Sequence, residues 1–163
     1  MKQFSSVCTV ALLLLGLALP ALAAKPTIVD NPFTPFVIPA ANGCGTFDVN
    51  AAPTAGRPNG GRLILFANSA IASGPVFVTL TNLTTGKSIN LNISGPAKFG
   101  FTNNTTVLQG PTLLIGFPPV APPNLQGIAF AKGRTVIKFD DSGNIISVNF
   151  VGKTPQDVCA LLE

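Results

Sequence analysis

The sequence predicts an all-β protein, an antiparallel β-sandwich or small barrel with a short C-terminal helix. Three observations carry this. Apolar residues recur at every second position between breaks. Sixteen glycines and fifteen prolines supply those breaks. Helix signals appear only in the tail.

The chain opens with Met1 and Lys2, an apolar run from Val10 to Leu19, and Ala21-Leu22-Ala23. A weak positive charge, a run too short to span a bilayer and a small-x-small site read as a signal peptide cut after Ala23. Residues 1–23 are therefore set apart, and no later stretch reads as a transmembrane segment. Residues 24–45 contain Pro26, Pro32, Pro35 and Pro39 and read as an extended, proline-rich arm. Residues 46–163 read as a single β-sandwich domain, long enough to bury a core.

The cleanest alternation spans 87–94. Ile89, Leu91 and Ile93 point to one side, and Ser88, Asn90, Asn92 and Ser94 to the other. Such a strand has one buried and one wet face. Before it, 76–81 alternates with Val76, Val78 and Leu80 inward. Gly86 between them suits the left-handed position of a hairpin turn with a bulge. A second hairpin places Thr135, Ile137 and Phe139 against Ile146, Val148 and Phe150. Its turn, residues 140–144, carries Gly143 for the same reason. Further strands are expected at 46–50, 62–67, 99–102, 106–108, 112–117 and 128–131. The segment 117–127, with Pro118, Pro119, Pro122 and Pro123, favours polyproline II and reads as a stiff surface connection.

The tail fits a helix start with Thr154 as N-cap, Pro155 at the first turn and Asp157 in a capping-box position. Val158, Leu161 and Leu162 then share a face directed at the sandwich. So short a helix needs tertiary support.

If residues 1–23 are removed, Cys8 leaves with them. Cys44 and Cys159 remain, and in an oxidising compartment one Cys44–Cys159 disulfide is the simplest pairing. It would tie the start of the domain to its end.

Composition narrows function mainly by what it lacks. There is no His, Trp or Tyr, and charged residues are 10% of the chain, against about 25% for an average domain. The net charge of +4 comes from few charges of either sign. Lys87, Lys98, Lys132, Arg134, Lys138 and Lys153 are spread along the sequence, so no basic stripe is expected and nucleic acid is not an expected partner. Without histidine, a serine triad and a histidine-rich zinc site are excluded, and no phosphate-loop or dinucleotide motif occurs. No catalytic, cofactor-binding or metal-binding residue is expected, and no cofactor.

Paired carboxylates are the remaining catalytic chemistry. Asp157 reads as a cap, and Asp140 and Asp141 as turn residues. That leaves Asp48, in an expected strand, and Asp30, in the arm. Asp140, Asp141 and Asn144 also form a partial oxygen set for Ca²⁺, read as a plain turn. Phe99 and Phe101 flank Gly100 and are the candidate ligand contacts, since two rings on one strand face could stack on a sugar or lipid. Sequons begin at Asn82, Asn92, Asn103 and Asn104, which are candidate N-glycosylation sites. Asn92 falls on the expected wet face and Asn82 near a turn.

The hairpin segments 78–95 and 135–145, with the terminal Asp157-Val158-Cys159-Ala160-Leu161, resemble an uncharacterised group of small secreted β-rich proteins from bacteria and fungi. The resemblance implies a secreted β domain, with no known activity and no site to transfer. The sequence thus points to a secreted, extracellular, non-enzymatic sandwich acting by surface contact on an extracellular protein, glycan or lipid. A carbohydrate- or lipid-binding module is the first alternative and a carboxylate-dependent hydrolase the second.

Overall fold

The computed structural model describes residues 25–117 and 127–163. The expected signal peptide and the proline-rich connection 118–126 lie outside the described residues. The described chain is an all-β sandwich of two antiparallel sheets with one short C-terminal helix, and the sheets do not close into a barrel.

In chain order the strands are β1 (Thr27–Asp30), β2 (Phe36–Ile38), β3 (Val49–Pro53), β4 (Arg62–Leu65), β5 (Ser69–Ser73) and β6 (Phe77–Asn82). There follow β7 (Ser88–Asn92), β8 (Ala97–Gly100), β9 (Thr105–Phe117), β10 (Gly127–Phe139), β11 (Ile145–Gly152), β12 (Gln156–Asp157) and helix α1 (Val158–Leu162). The large sheet runs β1-β4-β5-β8-β9-β10-β11, with β12 pairing β10, and the small sheet runs β2-β3-β6-β7. In the proline-rich arm, Thr27–Asp30 and Phe36–Ile38 are extended and paired, and Ala40–Asn42 forms a 3₁₀ turn. β1 lies on β4 and β2 lies on β3, so the arm contributes an edge strand to each sheet.

The small sheet follows its alternation. Val78 and Leu80 are fully buried, while Thr79 and Thr81 on the wet face bond across the strands to Asn90 and Ser88. The inner face of this sheet meets Ile128 and Phe130 of β10 and Val158 and Leu162 of α1 in the main core. The Gly86 N–H donates to the Asn82 carbonyl, and Gly86 has φ +76°, so the turn forms as its glycine requires.

Several boundaries differ from expectation. The strand expected at 46–50 begins at Val49; just before it the Asp48 carboxylate accepts the Ala40 N–H of the 3₁₀ turn, and Phe47 is buried in the core. The pieces expected at 106–108 and 112–117 are one strand, β9, and those at 128–131 and 134–139 are one strand, β10. Gly110 and Gly133 pair with each other, and Gly133 also pairs with Gly152. All three have positive φ, at +82°, +127° and +121°. This row of glycines turns the strands without ending them.

In the second hairpin a bulge between Lys138 and Phe139 sets Ile145 opposite Phe139. Ile145, Val148 and Phe150 therefore pack on the second core with Ile137, and Ile146, expected inward, is 56% exposed. In the tail, Asp157 is itself the N-cap and accepts from the N–H groups of Cys159 and Ala160. Pairing of Gln156 and Asp157 with β10 keeps the backbone extended past Thr154 and Pro155, so the helix starts later than expected. The shift turns Leu161 to solvent, and Val158, Cys159 and Leu162 face the core.

The Cys44–Cys159 disulfide is present, with Cα atoms 5.3 Å apart and a sequence separation of 115. In a chain-entropy account, closing a loop of that size stabilises by roughly 4–5 kcal/mol.

Candidate binding face

The glycine row crosses the large sheet from β9 to β11. On its C-terminal side in β9 and its N-terminal side in β10, one sheet face is covered by the small sheet, through Leu113, Ile128 and Phe130. Beyond Gly110 and Gly133 the small sheet ends, and that same face turns to solvent. On the opposite face of β9 and β10, Leu114, Ala129, Ala131 and Ile137 are buried, with Leu108 and Phe139 partly buried beside them.

The uncovered face can be read from the register. One row of cross-strand partners runs Ile28, Ile64, Ile71, Lys98, Val107, Val136, Asn149. Side chains alternate along each strand, so positions two removed share the face. Phe66 joins Ile64, and Arg134 and Lys138 flank Val136. Ile64, Ile71, Val107 and Val136 are half-buried, and Lys98, Arg134 and Lys138 are exposed.

Three cations thus surround an aliphatic centre. Lys98 lies two strands from Val136, ~10 Å between backbones, and Arg134 and Lys138 stand ~13 Å apart along β10. None of the three has an ion-pair partner among the described residues. The ion pair in that set is Arg62–Asp30, at 3.5 Å and exposed, on the same face toward its β1 edge. The sequence separates Lys98 from Arg134, and the β8-β9-β10 pairing brings them together, against the expectation of dispersed charge.

At the seam where the small sheet ends, a cleft of about 490 Å³ is lined by Asn90, Asn92, Gln156 and Lys132 among others. The Lys132 ammonium sits 5.2 Å from the Phe130 ring centre, a cation–π contact that holds it at the cleft wall. Gly133, next to Arg134 in the chain, also lines the cleft.

The acids have structural partners. The Asp48 carboxylate lies just before β3 and accepts the Ala40 N–H at 2.7 Å. Asp30 pairs with Arg62 in β1. Asp140 accepts the N–H groups of Ser142 and Asn144 and the Asn144 side-chain amide. Those bonds, the Asn144 side chain first, hold its carboxyl below the ordinary value of 3.8. Asp141 accepts from the Asn104 amide. The oxygens considered for Ca²⁺ thus serve the turn.

Phe99 and Phe101 do not form one exposed pair. Phe99, in β8 opposite buried Ala70, is half-buried, whereas Phe101 lies past the strand end and is 54% exposed. Of the sequons, Asn82 is 1% exposed and bonded on both sides of its amide, Asn104 donates to Asp141, and Asn92 and Asn103 are exposed.

No family model, curated protein or solved structure matches this chain. The face must therefore be read from its own chemistry. What sequence reasoning missed is the cation cluster, whose signal is the register between β8, β9 and β10.

Proposed function

We propose that this chain is a secreted, non-catalytic β-sandwich that works by surface contact, and that its contact face is the uncovered half of the large sheet. The partner is a polyanionic extracellular surface. The observation that supports this most is the set of Lys98, Arg134 and Lys138 around Val107 and Val136, with no acid paired to any of them among the described residues. A flat sheet face holds these charges without a cleft, which suits an extended surface better than a small substrate. Each lysine or arginine near an anionic surface contributes about 1 kcal/mol, so three give a weak, salt-sensitive attachment. The N-terminal pattern and the disulfide support an exported protein.

A charge-matched comparison tests the reading. A Lys98→Ala, Arg134→Ala, Lys138→Ala protein and a control with Arg57→Ala, Lys87→Ala and Lys153→Ala lose the same net charge. Binding to immobilised dextran sulfate should fall at least tenfold in the first and change little in the second. Equal losses would mean that net charge alone acts, and would remove the face from the account.

A further inference from the structure

Three turns meet at the far end of the large sheet, those between β4 and β5, β8 and β9, and β10 and β11. The pairing of Ser69 with Gly100 and of Thr105 with Lys138 sets them side by side. Two aromatic side chains stand exposed there. Phe66 is 41% exposed, and Phe101, whose N–H donates to the Asn68 carbonyl of the neighbouring turn, is 54% exposed. Carried one residue past β4, strand alternation puts Phe66 on the face of Lys98 and Lys138, and its N–H donates to the Ser69 carbonyl. The chain also enters the domain at this end, since Thr27 pairs with Leu65, which places Lys25 close by.

Phenylalanine has no polar atom to keep it in water, and exposing two at one tip has a solvation cost that burial in a partner would relieve. Cations close behind apolar tips match one kind of surface: headgroups carry the negative charge, and acyl chains lie a few ångströms beneath. A soluble acidic polymer would satisfy the cations and leave both rings wet. The two acids of the region, Asp140 and Asp141, lie in the β10–β11 turn, the one of the three farthest from Phe66 in strand order. Asp141 accepts from the Asn104 amide of the β8–β9 turn and Asp140 from N–H groups of its own turn, so both carboxylates are already hydrogen-bonded.

We infer that the polyanionic surface is an anionic lipid bilayer, on which the sheet face lies by charge while Phe66 and Phe101 insert among the lipids. The inference rests on the reading of the basic face given above and adds the hydrophobic anchor. The chain has no tryptophan, so Phe101→Trp introduces a single reporter at an exposed site.

The experiment uses vesicles of phosphatidylcholine with and without phosphatidylglycerol, and dextran sulfate as a lipid-free polyanion. The mature protein should sediment with the anionic vesicles and not with the neutral ones. Phe66→Ala and Phe101→Ala should each weaken vesicle binding about tenfold and leave dextran sulfate binding unchanged. Fluorescence of the Phe101→Trp protein should shift to the blue on anionic vesicles only. Dextran sulfate binding without vesicle binding, or vesicle binding indifferent to both substitutions with no blue shift, would overturn the insertion and leave the basic face standing. Failure to bind either probe would overturn both.

Discussion

The Asn82 side-chain amide donates to the Leu162 carbonyl at 3.2 Å, joining the end of β6 to the last turn of the chain across 80 positions. Its carbonyl oxygen accepts the N–H groups of Thr84 and Thr85, so one buried amide holds a hairpin turn and a helix end together. Asn82 also sits opposite fully buried Val49. A buried polar group is tolerated there because its bonds are made.

Replacing Asn82 by Ala strands the Leu162 carbonyl and the turn N–H groups. The expected loss is about 1–3 kcal/mol, measured as a lower midpoint in urea at unchanged slope. The same burial leaves no room for a sugar, so folded protein from a host that glycosylates should carry no glycan at Asn82. Peptide mass mapping checks this, and a glycan found there in folded protein would contradict the packing.

Cys44 and Cys159 join the segment ahead of β3 to α1, a helix of five residues that would not persist alone. A Cys44→Ser, Cys159→Ser protein should lose about 2–5 kcal/mol, with amide exchange rising first in residues 158–162. Uniform exchange across both sheets would show that the bond stabilises the whole fold and not the helix dock.

The glycine row borders the proposed contact face. A Cβ on Gly133 would meet the Val151 carbonyl at 2.6 Å with φ at +127°, whereas one on Gly143, at φ +85°, meets nothing within 4 Å. Gly133→Ala should therefore cost about 1–3 kcal/mol or more, and Gly143→Ala about 1–2 kcal/mol from backbone conformation alone. Thermal unfolding of the two variants ranks them, and equal midpoints would contradict the close approach of β10 to β11.

Asp140 gives a pH dependence of known sign. Its carboxyl is held below 3.8, with the Asn144 side-chain bond as the largest cause. A depressed folded value means that its contribution is fully present above the unfolded value near 3.8 and is lost as pH falls through the lower folded value. The Asp140 carboxyl should thus titrate below 3.8 by NMR, and Asn144→Ala should raise its midpoint. An unmoved midpoint would take the turn bonds out of the explanation.

Much of the fold was legible in the sequence because strand alternation is a local signal. Val78, Leu80, Thr135 and Ile137 fall where period 2 puts them, and Cys44 and Cys159 are the only cysteines among the described residues. Pairing partners are not local. Nothing in the order of residues says that Lys98 lies two strands from Val136, so the charges read as dispersed. Gly110 and Gly133 looked like strand ends because a glycine that bends a strand and one that ends it are alike in sequence. Ile146 departs from the expected alternation because a bulge shifts it by one, and bulges depend on the partner strand. Asn82 read as a surface sequon because its partner, the Leu162 carbonyl, lies at the far end of the chain.

The central claim, that the uncovered half of the large sheet is the contact face, is tested most directly by mapping a polyanion onto ¹⁵N-labelled protein. Titration with a short dextran sulfate should shift the amides of Lys98, Val107, Arg134, Val136 and Lys138, and the shifts should fade as salt rises. Shifts centred instead on Thr79, Thr81 and Ser88 of the small sheet would contradict it.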